Sequence, residues 1–427
     1  MSPSTRLLAG TAHAHRADLA SHLSLHGPLT LPERRDVEAW SAQLLDEIRL
    51  AGLTGRGGGG FPTATKLASI PRSRRATHLV INVMEGEPAA QKDSVLAAFA
   101  PHLIVDGAEV LARLVRAGSV TLAVARDNPH AARSLTDAVL ERHSRASTSV
   151  PISVEQLPSR YVGGEEAGLV RWLDGGPAMP TFRASKPARL EIRGRTSIVD
   201  NAETAASIAL IARHGGAWFA NVGVGGVGGT KLVTLSGSVA DPGVFEVALG
   251  TRLGEIVDLA TPTSQVQAVL LGGYGGTFVP AQALEAPYSA EGLKAFGSSV
   301  GAGVVLVFGS ACCGVAETAR IARWMANESA GQCGPCAFGL PALADDLEAL
   351  AAGRPDRNLE RRLRERLGVI RGRGACGHPD GVVRMIASAL EVFHGDVRAH
   401  LGGRPCAHLS KPTMLSLPNQ DGPLEWR

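Results

Sequence analysis

All six cysteines of the chain fall in its last third, and two of them form a Cys-x-x-Cys pair at Cys333 and Cys336. Cys376 follows downstream, and thiolates at such spacing can bind one metal centre. Zinc is one interpretation, because it takes four ligands and His378 stands beside Cys376. An iron–sulfur cluster is an equal alternative, since it also takes four ligands, commonly thiolates. A redox dithiol is least favoured, because it requires a preceding strand and this pair lies between predicted helices.

A glycine run at residues 55–60 is the second feature that could do chemistry. Glycine lets the backbone take positive φ and approach a ligand, and consecutive N–H groups form a nest that favours phosphate or an electron-rich ring. Arg56, Phe61 and Lys66 favour a nucleotide or flavin site over a mobile surface loop. An ordinary P-loop is disfavoured, because Lys66 follows Thr65 and is not followed by Ser or Thr.

The composition is that of a globular protein with several domains. The chain has 427 residues, of which 44% are hydrophobic and 19% charged, and a formal charge of +3, so no nucleic-acid partner is expected. Glycines interrupt the most apolar stretch, residues 300–315, so no transmembrane segment is predicted. The N-terminus does not resemble a secretory signal, and the clustered thiols do not resemble a disulfide framework, so we expect a cytoplasmic protein.

In the first half, strands and helices are predicted to alternate, which indicates α/β layering. A strand at residues 78–82 ends in a polar loop, paired carboxylates begin a helix at Glu165, and Asp200 or Asn201 caps another. The remaining predicted elements are a strand at 119–124 and helices at 94–117, 129–143, 165–173 and 200–212.

The second half changes character. Residues 222–309 are predicted to form a small α+β domain, with a hairpin about the turn at residues 241–243. Beyond residue 317 nearly everything is predicted to be helical, forming a bundle that carries most of the cysteines. The predicted elements are a helix at 253–260, strands at 268–272 and 303–308, and bundle helices at 317–327, 338–352, 357–369 and 380–400.

Five motifs in register now identify a family. They are the loop at 55–66, the run Asn82…Glu85-Gly-Glu87-Pro…Lys92-Asp93, the run Tyr161…Gly164-Glu165-Glu166, the run Asn201…Glu203-Thr204, and the distal cysteines. Over residues 45–405 the chain resembles the NADH-oxidising, FMN-binding F subunit of respiratory complex I and its relatives in hydrogenases and formate dehydrogenases.

The resemblance implies an α/β fold with three domains. These are a Rossmann-like FMN-binding domain at 46–221, a ubiquitin-like β-grasp (soluble-ligand-binding) domain at 222–309, and a helical iron–sulfur-binding domain at 310–405. An N-terminal extension, 1–45, and a C-terminal tail, 406–427, flank them.

The resemblance also implies the site residues. Cys333, Cys336 and Cys376 match three of the four ligands of a [4Fe–4S] cluster, and Glu87 and Glu166 match positions near the NADH nicotinamide, which stacks on the flavin. The expected cofactor-binding residues are Gly55, Arg56, Gly57, Phe61, Lys66, Asn82, Glu85, Tyr161, Gly164, Glu165, Asn201 and Thr204.

Three departures from the family pattern bear on function. Met84 replaces an aspartate that contacts the flavin, and Ala330 replaces the first cluster cysteine. Residues 182–187, in the segment that clamps the dinucleotide, depart from the family pattern. The aromatic residue that the family has shortly after Lys66 is also missing, which leaves Phe61 to stack on adenine. The fourth cluster ligand is open among Ser329, Glu328, His378, Cys313 and a non-protein ligand, and a [3Fe–4S] cluster or an empty site are the alternatives. Cys312 and Cys313 are expected to be buried apolar thiols, and Cys406 an ordinary surface thiol.

We therefore expect an FMN-dependent electron-transfer subunit that oxidises NAD(P)H and passes electrons to an iron–sulfur centre and a partner subunit or ferredoxin. Two alternatives remain. One is a binding or assembly protein that keeps the scaffold without its cofactors, and the other is an FMN protein that uses a ferredoxin-type donor or acceptor instead of NADH.

Overall fold

The structure, a computed structural model, describes residues 5–10, 16–70, 76–144, 150–182, 190–404, 406, 409, 414–420 and 425–427. Its named strands form two five-stranded sheets, and most of the helices beyond the second sheet form a bundle. The mixed α/β fold predicted from the sequence is therefore confirmed.

The first sheet places two amide side chains side by side. It has the order β3-β2-β1-β5-β4, with β1, β2, β3 and β5 parallel and β4 antiparallel to β5. Its register pairs Asn82 at the end of β1 with Asn201 at the end of β5. Both residues lie at the carboxyl edge, where ligands bind in open α/β sheets. The strands are β1 (Thr77–Val83), β2 (Ala117–Ala125), β3 (Ile152–Leu157), β4 (Leu190–Ile192) and β5 (Arg195–Asn201).

Helices pack against this sheet with close backbone contact. A Cβ on Gly107 would lie 2.0 Å from the carbonyl oxygen of Ala205, so only glycine lets these two helices approach so closely. The helices of this part are α1 (Leu19–His26), α2 (Val37–Leu50), α3 (Thr63–Ala68), α4 (Lys92–Phe99), α5 (Pro101–Leu114), α6 (Pro129–Ser144), α7 (Glu166–Leu173), α8 (Ala202–His214) and α9 (Gly216–Ala220).

The second sheet has the order β7-β6-β10-β8-β9, in which β6 and β10 are parallel and the other neighbours are antiparallel. Numbered within the domain, this order is 2-1-5-3-4, the β-grasp arrangement. The elements are β6 (Thr230–Gly237), β7 (Gly243–Ala248), α10 (Leu253–Asp258), β8 (Val266–Leu271), β9 (Thr277–Pro280), α11 (Ala290–Lys294) and β10 (Val304–Gly309).

Successive side chains of β10 point to opposite faces of the second sheet, and one of these faces packs against the helical bundle. Leu306 and Phe308 belong to one core with the bundle, whereas Val305 and Val307 belong to the core of the sheet's own helices. The bundle helices are α12 (Gly314–Asn327), α13 (Leu340–Ala351), α14 (Leu359–Ile370), α15 (His378–Val392) and α16 (His394–Leu401).

The described part of the tail packs along α12. The backbone N–H of Met414 donates to Glu317 Oε1 at 2.8 Å, and the indole N–H of Trp324 donates to the carbonyl of Pro418 at 3.2 Å. Gln420 Nε2 reaches Glu328 Oε1 at 3.0 Å, just beyond the end of α12. Residues 414–420 of the tail therefore pack as part of the helical bundle.

The predicted elements are largely confirmed, with two corrections. The single helix expected at 94–117 is two helices, α4 and α5, that break at Ala100 and meet at 99°. The helix expected at 380–400 is likewise two, α15 and α16, which break at Phe393. Strands β3, β4, β5 and β9 were not predicted.

No single helix among the described residues has both the length and the apolar character needed to cross a membrane, although α4 and α5 pass such a test as a bent pair.

Candidate functional site

A cleft of about 370 Å³ opens at the carboxyl edge of the first sheet, bounded also by the second sheet and the bundle. This volume lies in the range of small-molecule sites. Its lining residues are Gly57, Gly58, Asn82, Met84, Glu85, Gly86, Glu87, Ala90, Lys92, Asp93, Tyr161, Val162, Gly164, Glu165, Asn201, Gly272, Gly275, Ala302, Cys376, Gly377, His378, Gly381 and Arg384.

Many of the expected site residues meet in this cleft, and others lie behind or beside it. Those in the lining are Gly57, Asn82, Glu85, Glu87, Tyr161, Gly164, Glu165, Asn201 and Cys376. Those outside the lining are Gly55, Arg56, Phe61, Lys66, Glu166, Thr204, Cys333 and Cys336.

The glycine loop is a tight turn that joins α2 to α3. The N–H of Gly55 donates to the carbonyl of Phe61 at 2.9 Å, which closes the loop. Gly58 lines the cleft with φ +107°, a conformation that favours glycine. The ring of Phe61 is 56% exposed at the outer end of the loop.

Arg56 holds this loop from behind. Its guanidinium is buried, donates to the carbonyl of Thr230 at 2.9 Å and lies 3.9 Å from Glu203, while its backbone N–H donates to Thr204 Oγ1 at 2.9 Å. The ammonium of Lys66 donates to the carbonyl of Val199, beside Asp200. Arg56 and Thr204 therefore position the loop, and the side chain of Arg56 does not belong to the cleft lining.

The cations of the cleft lining are Arg384 and, at the edge of the first sheet, Lys92. Its buried ammonium lies 2.8 Å from Asp93 Oδ1 and 3.1 Å from Glu203 Oε2. Burial alone would lower the pKa of Lys92, but Asp93, Glu203 and Glu85 outweigh it and raise that pKa above its usual range. Burial would likewise raise the pKa of Glu203, yet Lys92, Lys231 and Arg56 together hold it below its usual value. A fixed positive charge therefore lies beside the amides of the sheet edge.

Glu85 caps the helix that carries Lys92. It has φ +46°, and its two carboxyl oxygens accept the N–H groups of Asp93 and Ser94, each at 2.8 Å. Burial, together with the charge of Asp93, raises the pKa of Glu85 to about 7. A carboxyl at a helix N-terminus is a favourable pairing, so the loop between β1 and α4 is held in one conformation.

Glu87 links all three parts of the molecule. Its carboxylate accepts the N–H of Tyr274 at 2.8 Å, from the second sheet, and a hydrogen bond from the hydroxyl of Tyr161. The ring of Tyr161 packs edge-on against Trp324 and His378 of the bundle. Burial raises the pKa of Glu87 to about 7, so this carboxyl can hold or release a proton near neutral pH.

Close approach at Glu87 depends on one glycine. A Cβ on Gly273 would lie 2.3 Å from Glu87 Oε2, and Gly273 has φ +96°. A side chain at this position would displace the carboxylate from the backbone of the second sheet.

Cys333, Cys336 and Cys376 form one thiol group. Burial and then the neighbouring Cys333 raise the pKa of Cys336 above its usual range, with a further contribution from Cys376, while the hydroxyl of Ser329 opposes the shift. Burial also raises the pKa of Cys376. Cys376 belongs both to this group and to the cleft lining, so the two sites adjoin.

The candidate fourth ligands separate in the structure. Glu328 is already engaged, because it accepts the N–H of Tyr161 at 3.1 Å and lies 3.0 Å from the guanidinium of Arg160. Cys313 lies elsewhere, beside His400 and Cys406. Ser329 remains beside Cys336 through its hydroxyl, and His378 beside Cys376 through its backbone N–H.

His378 presents a free nitrogen lone pair. Its Nε2 lies 2.9 Å from the carbonyl of Met325 and must donate, while its buried Nδ1 has no hydrogen-bond partner among the described residues. Burial lowers the pKa of His378 to about 4, so the ring is neutral and Nδ1 is an acceptor.

The remaining cysteines differ in part from expectation. Cys313 is buried as expected and caps α12, whereas Cys312 is only half-buried and donates to the carbonyl of Gly309 at 3.1 Å. Cys406, expected to be a surface thiol, is half-buried beside Cys313 and His400. The correction has a physical reason: the tail folds back on the bundle.

Sequence reasoning did not single out Lys92 or Arg384 as site residues, nor the second-sheet glycines of the lining. Lys92 could have been found, because it belongs to one of the five motifs, whereas Arg384 carries no sequence signal. In the predicted dinucleotide clamp Phe182 is 73% exposed, and residues 183–187 lie outside the described part of the chain.

Comparison with known families and proteins agrees with this geometry. Residues 48–210 match the family described as the Nuo51 FMN-binding domain, and residues 316–400 match the NADH-ubiquinone oxidoreductase-F iron-sulfur binding region. These two matched regions contain most of the cleft lining and the whole thiol group.

Individual proteins are similar over nearly the whole chain. The NADH-quinone oxidoreductase F subunit designated 2 of Rhizobium meliloti (strain 1021) is 29% identical over 378 residues, which cover 85% of this chain and 90% of that protein. The corresponding F subunit of Streptomyces coelicolor (strain ATCC BAA-471 / A3(2) / M145) is 29% identical over 376 residues, covering 85% of this chain and 84% of that protein. A solved chain of an NAD+-reducing [NiFe]-hydrogenase, in the H2-reduced state, is 30% identical with a TM-score of 0.77, covering 91% of this chain and 67% of that one.

Proposed function

The chain belongs to the family of NADH-quinone oxidoreductase F subunits and related hydrogenase flavoprotein subunits, and on that premise we propose that it oxidises NAD(P)H through FMN and passes the electrons to an iron–sulfur centre. The observation that carries this proposal is the position of Cys376. It lines the cleft and also belongs to the thiol group, so a cofactor in the cleft would lie beside a cluster.

The cleft fits FMN in size and in chemistry. Glycine backbone lines one side, and a Cβ on Gly57 or Gly164 would lie 3.4 or 3.3 Å from the side chain of Asn201 or Met84. A planar ring can therefore approach the bare backbone, as glycine-rich cradles allow. Lys92 supplies a fixed charge, and Asn82 and Asn201 supply amides for hydroxyl groups.

When bound, FMN accepts a hydride from a nicotinamide and releases the electrons one at a time. This chain contributes positioning and charge. Glu87, held by Tyr274 and Tyr161, is placed to orient the nicotinamide, and Glu166 begins α7 one residue after the lining residue Glu165. Lys92 stays positively charged beside the cleft and would favour negative charge on a bound cofactor, and no protein acid or base is required.

The thiol group fits an iron–sulfur cluster if a fourth ligand replaces the cysteine that is absent at Ala330. We assign that role to His378, because its buried Nδ1 carries an unpaired lone pair and stands two residues from Cys376. Imidazole is an established cluster ligand alongside thiolates. Cys333, Cys336, Cys376 and His378 would then hold the cluster.

The electron acceptor is proposed to be an iron–sulfur partner subunit or a ferredoxin that docks beside Cys336. There, Phe338 is 77% exposed and Val369 is 58% exposed, in a groove of about 520 Å³ whose charged lining residues are three arginines and one carboxylate, Arg362, Arg366, Arg373 and Glu365. An apolar centre with a basic rim suits an acidic partner. The six free cysteines are compatible with a reducing cytoplasm, which we propose as its location.

The test is anaerobic purification of the full chain, followed by assay of flavin, iron and acid-labile sulfide. We expect bound FMN that is reduced by NADH, and comparing NADPH and reduced ferredoxin identifies the donor. Asn82→Ala should lower the flavin content, because Asn82 donates to the carbonyl of Gly164 at 2.9 Å and accepts from Met84. The exposed Asn327→Ala is the matched control. Absence of both flavin and sulfide would refute the proposal and leave a cofactor-free binding role.

A further inference from the structure

A second group of metal-binding side chains lies outside the thiol group described above. Cys313, His400 and Cys406 bring two thiols and an imidazole together, with the three ligand atoms all within 4.8 Å of one another. They come from three separate segments: the residue that caps α12, the last turn of α16, and the tail. We propose that these residues form a structural zinc site, independent of the cluster and of the flavin.

The orientation of His400 supports a metal. The ring is fully buried, and its Nδ1 lies 3.1 Å from the carbonyl of Leu350, to which it must donate. Its Nε2 therefore carries the lone pair, which faces Cys313 Sγ at 3.6 Å and accepts the backbone N–H of Cys406 at 3.2 Å. A bound metal would take the place of that N–H. Metal-binding histidines characteristically donate their other ring N–H to a carbonyl in this way, which fixes the tautomer.

The donor set favours zinc among the common cations. Two thiolates and one imidazole make a soft, nitrogen- and sulfur-rich site, whereas Mg²⁺ and Ca²⁺ require oxygen ligands. Structural zinc is four-coordinate, so one position remains.

The position of the site gives it a mechanical role. Cys406 is near the start of the tail, and residues 414–420 then run along α12 through Met414, Pro418 and Gln420. Gln420 contacts Glu328, which also holds the backbone of Tyr161 at the cleft. A zinc ion bound by Cys406 would attach the beginning of the tail to the helical bundle.

The experiment measures zinc and iron separately in the full chain, purified without a polyhistidine tag. We expect about one zinc per chain in wild type, with two sulfur neighbours at about 2.3 Å and nitrogen at about 2.0 Å in zinc X-ray absorption. Cys406→Ala should reduce zinc to background while leaving flavin and iron unchanged. The control is Cys376→Ser, which should lower iron and leave zinc unchanged.

Three results would overturn the site. They are wild-type zinc no higher than in Cys406→Ala, a zinc shell without sulfur, or a disulfide between Cys313 and Cys406 found by mass spectrometry after alkylation. If Cys406→Ala fails to fold, the absorption spectrum of the wild type decides alone. Hydrogen exchange at residues 414–420 should rise when zinc is lost, and unchanged exchange would overturn the clamping role.

Discussion

Replacing Glu87 with glutamine should change how stability depends on pH. The carboxyl is partly buried at the cleft, where it contacts Tyr274 and Tyr161, and desolvation raises its pKa from 4.5 to about 7. Between these two values the folded protein keeps a proton that the unfolded chain has lost. Stability therefore falls as pH rises through this window, because the unfolded state binds fewer protons there. Glutamine is neutral throughout and removes this dependence.

The size of the effect follows from the two pKa values. The shifted pKa of Glu87 contributes about 3 kcal/mol to the unfolding free energy at low pH, and about 2.5 kcal/mol of this is lost between about pH 5 and about pH 8. Wild type should lose that much unfolding free energy relative to Glu87→Gln across the range. Other groups titrate equally in both proteins, so the difference between the two isolates Glu87.

Urea denaturation followed by tryptophan fluorescence measures this difference, with both proteins compared at each pH. Glu291→Gln is the matched control, because the Glu291 side chain is 87% exposed, and its profile should run parallel to that of wild type. Parallel profiles for wild type and Glu87→Gln would show that Glu87 is ionised at low pH in the folded protein. The argument from burial would then be wrong.

Three further predictions concern the cleft and the cluster. His378→Leu should lower the iron content from about four per chain and abolish nitrogen coupling in pulsed EPR. Adding Ala330→Cys to this variant should restore the iron content. The exposed His143→Leu is the control and should change neither the iron content nor the coupling. Unchanged iron in His378→Leu would exclude it as a ligand. Gly273→Ala should destabilise the protein by about 1–3 kcal/mol in urea denaturation and lower its flavin content, because the new Cβ would lie 2.3 Å from Glu87. The control is Gly59→Ala, where a Cβ meets nothing within 4 Å, and it should change stability by less than about 1 kcal/mol. Lys92→Met should lower the unfolding free energy by about 3–5 kcal/mol, because it leaves Glu203 and Asp93 buried without their cation. The control is Lys294→Met on the surface, which should be nearly neutral. Equal effects of the two substitutions would contradict the buried ion pair.

The sequence alone was enough to recognise the motifs that place the chain in its family, and to predict most of the helices and strands that carry those motifs. The strand ending at Asn82 and the helix capped by Asn201 follow from local patterns, namely a short apolar run and a side chain that accepts the first helical N–H groups. The hairpin about residues 241–243 follows from its turn residues. These signals are local, so they can be read without the fold.

The breaks at Ala100 and Phe393 were not predicted. The first could have been, because Pro101 directly follows Ala100 and a residue before proline is disfavoured from the helical conformation, whereas no proline follows Phe393. Strand β5 was missed because residues 195–201 lead directly into a helix, and its pairing with β1 lies far away in sequence. Long-range pairing is set by packing, which overrides local propensity.

Only the tertiary structure decided which charges face the cleft. Arg56 and Lys66 flank the glycine loop in sequence, yet Arg56 is buried behind it, and the cations in the cleft lining are Lys92, at the start of α4, and Arg384, from α15. The same holds for the thiols, since the sequence shows six cysteines but not that Cys313 and Cys406 meet at His400 while Cys376 reaches the cleft. Residue types and spacing determine what chemistry is available. Which groups meet depends on contacts between distant segments, and these exist only once the sheets and the bundle have packed together.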